Sequence, residues 1–508
     1  VRTADVNKLS SAIISFRGKV APDWVLSGLE AGTIGAFCLF NYNFDTPAQL
    51  RALNDSLRAA AASGGHPPPL IGIDQEGGQL MAVNHGATDL PGNMALGAAA
   101  SPDLAYRAGK VLARELLALG CNMNFAPVLD LATHLDSNVV GVRAFSDDPQ
   151  LTGQLGAALA RGLQDEGVVA TAKHFPGHGD TALDSHHVAP RIDRTLDQLR
   201  ADDLRPFSTV IAGGIGAVMS AHVTYPHLDL QPATLSRVIL HDLLRVELGF
   251  DGLVVTDAMD MSAVAHLSPV ERCLAALDAG ADLVLLGHLT DQEQITRELA
   301  KRTGPAATRR ITAARAGLAT ELPDLSVAGS ASHAGFALES AAAAITCVRG
   351  RPALGVGPAE RVAVVSFDAG ERSPADSTPA GVPQLAAHLM RFHADTVRIE
   401  VPDGGGVQEA LGVLEGSGAV RLVIATRNAA ADPLQVELVR EACRRGTEVF
   451  VVALGSPLDA AVLPFAPNVL CTYGLRPPQL EAAARVLCGL AGAPGRLPVR
   501  LPGAEAPA

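Results

Sequence analysis

Eight short, almost unbroken apolar runs occur up to residue 286, at residues 12–16, 34–40, 70–73, 123–128, 168–172, 217–221, 253–256 and 283–286. Continuous rather than alternating apolarity marks strands buried on both faces, as in parallel sheets covered by helices. Helical patterns separate the runs and carry their own punctuation. Ser101-Pro102 and Ser268-Pro269 each offer an N-cap followed by a first-turn proline, and Gly120, Gly167 and Gly249 stand where helices should stop. Eight strand–helix units predict a (β/α)8 barrel of the TIM type. Polar residues then fall where such a barrel builds its site. Asp74 follows Ile73, Asp130 follows Leu129, Lys173 follows Ala172, His222 follows Ala221 and Asp257 follows Thr256. A doubly wound open sheet would gather them at one crevice instead.

A Pro/Ser/Gly/Ala-rich stretch begins at Pro323, and a second α/β pattern follows it. It predicts a helix over 336–344, strands at 361–367, 397–401, 422–425, 449–453 and 469–472, and helices at 435–444 and 480–488. The expected division is a catalytic barrel over 1–322, a linker over 323–335 and a smaller C-terminal α/β sandwich domain over 336–508. Few polar residues end its strands, and Gly404-Gly405-Gly406 lacks the GxGxxG spacing of a dinucleotide site. This half therefore reads as a structural or dimerising layer. No internal repeat relates the two halves.

At 508 residues the chain is too long for one ordinary core, and 48% hydrophobic with 18% charged residues describes a folded globular protein. A net charge of -13 without a basic patch argues against nucleic acid or an anionic membrane surface as partner. No apolar run is long enough to span a bilayer and no signal peptide pattern opens the chain, although it starts on Val1 rather than methionine, which leaves a removed leader open. The 7 cysteines are odd in number, scattered and never in C-x-x-C spacing. They read as buried free thiols of a reducing compartment, which points to a cytoplasmic protein.

The densest chemistry lies in the run from Lys173 through His174, His178, Asp180 and Asp184 to His186. Asp184 sits two residues before His186, close enough for its carboxylate to orient the imidazole and raise its basicity. These histidines and aspartates also have a metal reading, but none forms the helical His-x-x-x-His pair of a zincin and no cysteine joins them. The expectation is acid–base chemistry with no metal and no cofactor. Asp257, capping the seventh strand, can attack an electrophilic carbon or stabilise a cation. Its dull alternative is a helix N-cap, a role for which Asp260 is better placed. Asp74 can grip paired hydroxyls and Arg143 offers a fork of donors, unless either belongs to a surface ion pair.

The segments IDQEGG, LPGNMALG, NFAPVLD, GVRAFSDDP, KHFPGHGDTALDSH, MSAH and GLVVTDAMDM, in that order, resemble glycoside hydrolase family 3. More narrowly they resemble its β-N-acetylglucosaminidase (β-N-acetylhexosaminidase) branch. VVALGSP and GRLPV resemble that family's second α/β domain more weakly. The resemblance implies that Asp257 is the nucleophile, His186 the general acid/base and Asp184 its partner. It implies that Asp74, Arg143, Lys173 and His174 hold the sugar's hydroxyls. The family's β-glucosidases lack this loop and take a glutamate from elsewhere, so the DSH motif narrows the substrate class. One departure stands out. The family usually carries arginines after EGG, one of which contacts the sugar; here Gln79-Leu80-Met81-Ala82 follows, and no arginine comes before Arg107.

The implied activity is retaining, exo-acting hydrolysis of terminal N-acetyl-β-glucosaminides through a glycosyl-aspartate, with cell-wall muropeptide fragments as the substrate class. Aromatic residues make up only 4% with a single Trp24, which suits a small soluble saccharide better than a long polymer. Three alternatives remain. A histidine in place of a second carboxylate does not repel an anionic acceptor, so a glycosyl phosphorylase fits the same residues. The departure after EGG leaves room for a β-glucosidase-like specificity. A barrel that binds sugar without turnover has no need of Asp257, Asp184 and His186 together.

Overall fold

All eight expected barrel strands form, and they close into a ring. In the computed structural model, which describes residues 8–137, 139–181, 189–367, 373–378, 383–401 and 406–502, they are β1 (Ala12–Ile14), β2 (Ala36–Cys38), β3 (Leu70–Ile73) and β4 (Met123–Asn124), followed by β5 (Val169–Phe175), β6 (Ala217–Ser220), β7 (Leu253–Thr256) and β8 (Val284–Leu285). Each pairs in parallel with the next, and β8 pairs with β1. A bridge between Val255 and Leu283 completes the circle, with Thr256 N donating to Leu283 O at 3.0 Å.

Neighbouring residues within a strand explain the unbroken apolarity. Ile13, Cys38, Leu70, Met219 and Val255 meet inside the barrel. Ile14, Phe37, Ile71, Val218 and Val254 pack outward into the layer of helices. Both faces are dry, so both parities are apolar. The caps form as the sequence suggests. Ser101 Oγ accepts from Leu104 N ahead of Pro102–Ala118, and Ser268 forms a capping box with Glu271 ahead of Pro269–Ala279.

Strand β5 runs further than its apolar run, so Lys173 and His174 lie within the strand rather than on the loop. Its neighbours extend the ladder. Leu129 N donates to Lys173 O at 2.6 Å from one side, and Ala221 N to Phe175 O at 2.8 Å from the other.

The second sheet holds β9 (Thr346–Arg349), β10 (Val362–Phe367), β11 (Thr396–Val401), β12 (Arg421–Thr426), β13 (Glu448–Ala453) and β14 (Asn468–Cys471), in the order β9-β14-β13-β12-β10-β11. Five are parallel; β9 is an antiparallel edge strand. The sequence pattern misses β9 because it is half-buried and carries no apolar run. The first helix of this half, Ala331–Ala344, begins inside the stretch expected as linker, since an alanine-rich segment is a strong helix former.

Barrel and sheet share one core. Met94, Ala98 and Ala144 from the barrel half pack with Val365, Ile424 and Val451 from the sheet. Arg476, fully buried, crosses the boundary. Its Nε donates to Gly78 O at 2.8 Å, Nη1 to Asp89 at 3.0 Å and Nη2 to Asn84 Oδ1 at 3.0 Å. All seven cysteines are free thiols; Cys38, Cys121, Cys273 and Cys471 are buried and the other three half-buried. Among the described residues no helix is long and apolar enough to cross a membrane.

Candidate active site

A cavity of about 520 Å³ opens at the carboxyl ends of the barrel strands, and Asp74, Arg143, Lys173, His174 and Asp257 all line it. Behind Arg143 and Lys173 lies the turn after β3. Gly77 and Gly78 take φ of +88° and +61°, and a Cβ on Gly78 would lie 2.6 Å from Gly92 Cα, so only glycine makes this close turn. Glu76, just before the turn, is buried against Arg143 and Lys173, which line the cavity.

Glu76 is the organising residue that the sequence reading left without a role. Arg143 donates to both of its oxygens, Nη2 to Oε1 at 2.6 Å and Nε to Oε2 at 2.8 Å, and Lys173 Nζ lies 2.7 Å from Oε1. Lys173 also donates to Asp74 Oδ1 at 2.6 Å. Two cations and two carboxylates thus balance one another, three of the four out of water. Burial alone would raise Glu76, but Arg143 and Lys173 outweigh it and bring the carboxyl down to about 2. Burial works against the charge on Lys173 as well, yet Asp74 and Glu76 hold it above the ordinary lysine value. Arg143 is therefore no surface ion pair; it is also anchored to Val139 O at 2.6 Å. Asp74 keeps 27% of its side chain exposed, on the side of the cavity.

His174 is oriented by Asp130, another strand-end residue. Its Nδ1 lies 2.6 Å from Asp130 Oδ2, while Asp130 Oδ1 accepts from the backbone N–H of His174 at 3.2 Å and of His178 at 2.7 Å. Burial tends to raise Asp130, but His174 and His178 prevail and hold its carboxyl at about 2. The imidazole therefore presents Nε2 as its free edge. Asp180 is drawn away, 3.5 Å from His134 and 3.9 Å from Arg194. Asp184 and His186 lie outside the residues the structure describes. Among the described residues no three or more His, Cys, Asp or Glu side chains are grouped to hold a metal ion.

Asp257 ends β7, where its Oδ1 accepts from Ala258 N at 2.7 Å. Beneath it His222 is buried, with Nε2 3.0 Å from Ala258 O and Nδ1 2.8 Å from Thr234 Oγ1. Burial lowers its basicity, and Nε2 donates to the Ala258 carbonyl. The cap expected of Asp260 does not form. The next helical turn, Ser262–Val264, follows Met261 and has no side-chain cap, and Asp260 instead lines the cavity, pressed close to Gly287.

The second domain is more than a structural layer, because Pro374, Ala375, Asp376 and Ser377 line the same cavity. They seat on the segment that lacks the family's arginines. Ser377 Oγ accepts from Met81 N at 2.7 Å, Ser377 N donates to Gln79 O at 3.0 Å, and Gln79 Nε2 donates to Ala375 O at 3.2 Å. No local pattern in the sequence could have placed them there.

Residues 20–314 match the glycosyl hydrolase family 3 N terminal domain, and the chain belongs to that family. It is a glycoside hydrolase with a barrel and a second sheet domain. A β-hexosaminidase of Thiobacillus denitrificans is 45% identical over 260 residues, 50% of this chain and 71% of that protein. β-Hexosaminidase A of Pseudoalteromonas piscicida is 29% identical over 534 residues, 92% of this chain and 89% of that protein. The structure of a family 3 β-N-acetylglucosaminidase from Paenibacillus sp. str. FPU-7 is similar at a TM-score of 0.89 with 32% identity, covering 99% of each chain.

Proposed function

We propose that this glycoside hydrolase is a retaining, exo-acting β-N-acetylglucosaminidase that works in the cytoplasm on small saccharides such as muropeptide fragments. The observation that carries the reading is the placement of Asp257 in one cavity with Asp74, Arg143, Lys173 and His174. A nucleophile on one strand end faces a dense set of hydroxyl-binding groups on others. The names of the β-hexosaminidase relatives support the amino-sugar specificity.

In this reading Asp257 attacks the anomeric carbon while His186, partnered by Asp184, protonates the leaving oxygen. The C–O bond to the aglycone breaks and a glycosyl-aspartate forms. His186 then takes a proton from water, whose oxygen displaces Asp257 with net retention. Positive charge building on the sugar ring faces the Asp257 carboxylate. Arg143 and Lys173 do not oppose it, because Glu76 and Asp74 neutralise them. Lys173, Asp74, Arg143 and His174 hold the hydroxyls, and the chemistry calls for no cofactor.

The test is incubation with 4-nitrophenyl N-acetyl-β-glucosaminide in phosphate buffer, followed by proton NMR. Free N-acetylglucosamine appearing first as the β-anomer is the expected product. The α-anomer would overturn retention, and sugar 1-phosphate would overturn hydrolysis. No product at all would point to another sugar.

A further inference from the structure

We infer that a second cleft, adjoining the catalytic cavity, is the subsite for the leaving sugar, with Trp24, Tyr42 and Arg17 as its principal contacts; this rests on the glycosidase reading above. The cleft measures about 490 Å³, and Ser15, Arg17, Trp24, Tyr42, His288 and Gln292 are among its lining residues. It lies at the catalytic end of the barrel. Ser15 and Arg17 follow β1, Trp24 is in the first turn of the helix Asp23–Glu30, Tyr42 is in the turn Asn41–Asn43 after β2, and His288 follows β8. Tyr42 and His288 also line the catalytic cavity, so the two spaces are neighbours with these side chains in common.

The side chains common to both spaces support one another. The Tyr42 ring stacks on Phe40 at 5.4 Å and 16°, and its hydroxyl lies 3.1 Å from His288 Nδ1. The Arg17 guanidinium sits 5.8 Å from the Tyr42 ring centroid, and among the described residues it is in no ion pair. Arg297, also in the cleft, is tied to Glu293. Trp24 and Tyr42 are half-buried and Arg17 and His288 exposed. A pyranose ring offers an apolar C–H face and an edge of hydroxyls. Half-exposed aromatic rings suit the face and an unpaired guanidinium suits the edge. Two aromatic side chains serve one sugar, which agrees with a preference for short saccharides over polymers.

Trp24 is the chain's only tryptophan, so red-edge indole excitation reports on this cleft alone. The full chain carrying Asp257→Asn would be titrated with N,N′-diacetylchitobiose and, separately, with N-acetylglucosamine. Chitobiose should change the Trp24 emission saturably, and the monosaccharide much less. In the active enzyme, Trp24→Leu should lower the preference for chitobiose over methyl N-acetyl-β-glucosaminide about tenfold, with Trp24→Phe intermediate because it keeps a ring. Emission that stays silent to chitobiose, or an unchanged preference, would overturn the subsite even if the wild-type enzyme cleaves both glycosides. A wild-type enzyme that cleaves neither would overturn the N-acetylglucosaminidase reading itself, and the subsite with it.

Discussion

Glu76 receives Arg143 on both carboxylate oxygens, at 2.6 and 2.8 Å, in a pocket where neither side chain is more than 4% exposed. Removing the negative charge there leaves Arg143 and Lys173 underpaired away from water. Glu76→Gln should lower stability by about 3–5 kcal/mol, the usual result of breaking a buried ion pair from one side. Urea unfolding at neutral pH measures it. A loss below about 1 kcal/mol would mean that solvent compensates the pair as it does at a surface.

Acid should undo this network and the Asp130–His174 pair beside it. Glu76 and Asp130 are held at about 2 against ordinary values of 4.5 and 3.8. Folding therefore favours their ionised forms. That contribution is present above the ordinary carboxylate range and is lost as pH falls toward about 2. The urea midpoint should stay level from neutrality down to the top of that range and then drop. Asp130→Asn should flatten the acid limb; a limb of unchanged slope would exclude Asp130 as a source of it.

Asp257→Asn should reduce kcat by about 10⁴-fold or more on every glycoside while leaving the unfolding midpoint near wild type. His186→Ala should cripple natural glycosides yet spare much of the first step on a nitrophenyl glycoside, whose leaving group needs little proton help. Steady-state and burst kinetics on both substrates separate the two roles. Equal losses on both leaving groups would remove His186 as general acid.

Arg476 joins the second domain to the turn that carries Glu76. Arg476→Ala should cost about 3–5 kcal/mol, because Asp89 loses its buried partner and the Gly78 carbonyl loses its donor. Arg476→Lys should restore only part of this, since one ammonium cannot replace a fork that reaches Gly78, Asn84 and Asp89 together. Equilibrium unfolding and KM, measured on both variants, test it. Full recovery by lysine would show that charge alone matters there.

The barrel and the strand-end residues that face its cavity were written in the sequence. A strand dry on both faces must be apolar at every position, and a residue directly beyond it must sit at the barrel's open end; both constraints act within a few residues. Asp74, Lys173 and Asp257 were legible for that reason and come together in one cavity with His174 and Arg143, the latter carried on the loop after β4. His186 and Asp184 are expected only through the motif that holds them, and they lie outside the described residues. Tertiary structure alone decided the rest. Glu76 reads locally as one more polar residue before a glycine pair, and becomes the anchor of the site only when Arg143 arrives from 67 residues away. Ser377 reaches Met81 across 296 residues, and Arg476 reaches Gly78 across 398. Partners so distant leave no periodicity and no local motif, because their contact is created by the docking of one domain on the other.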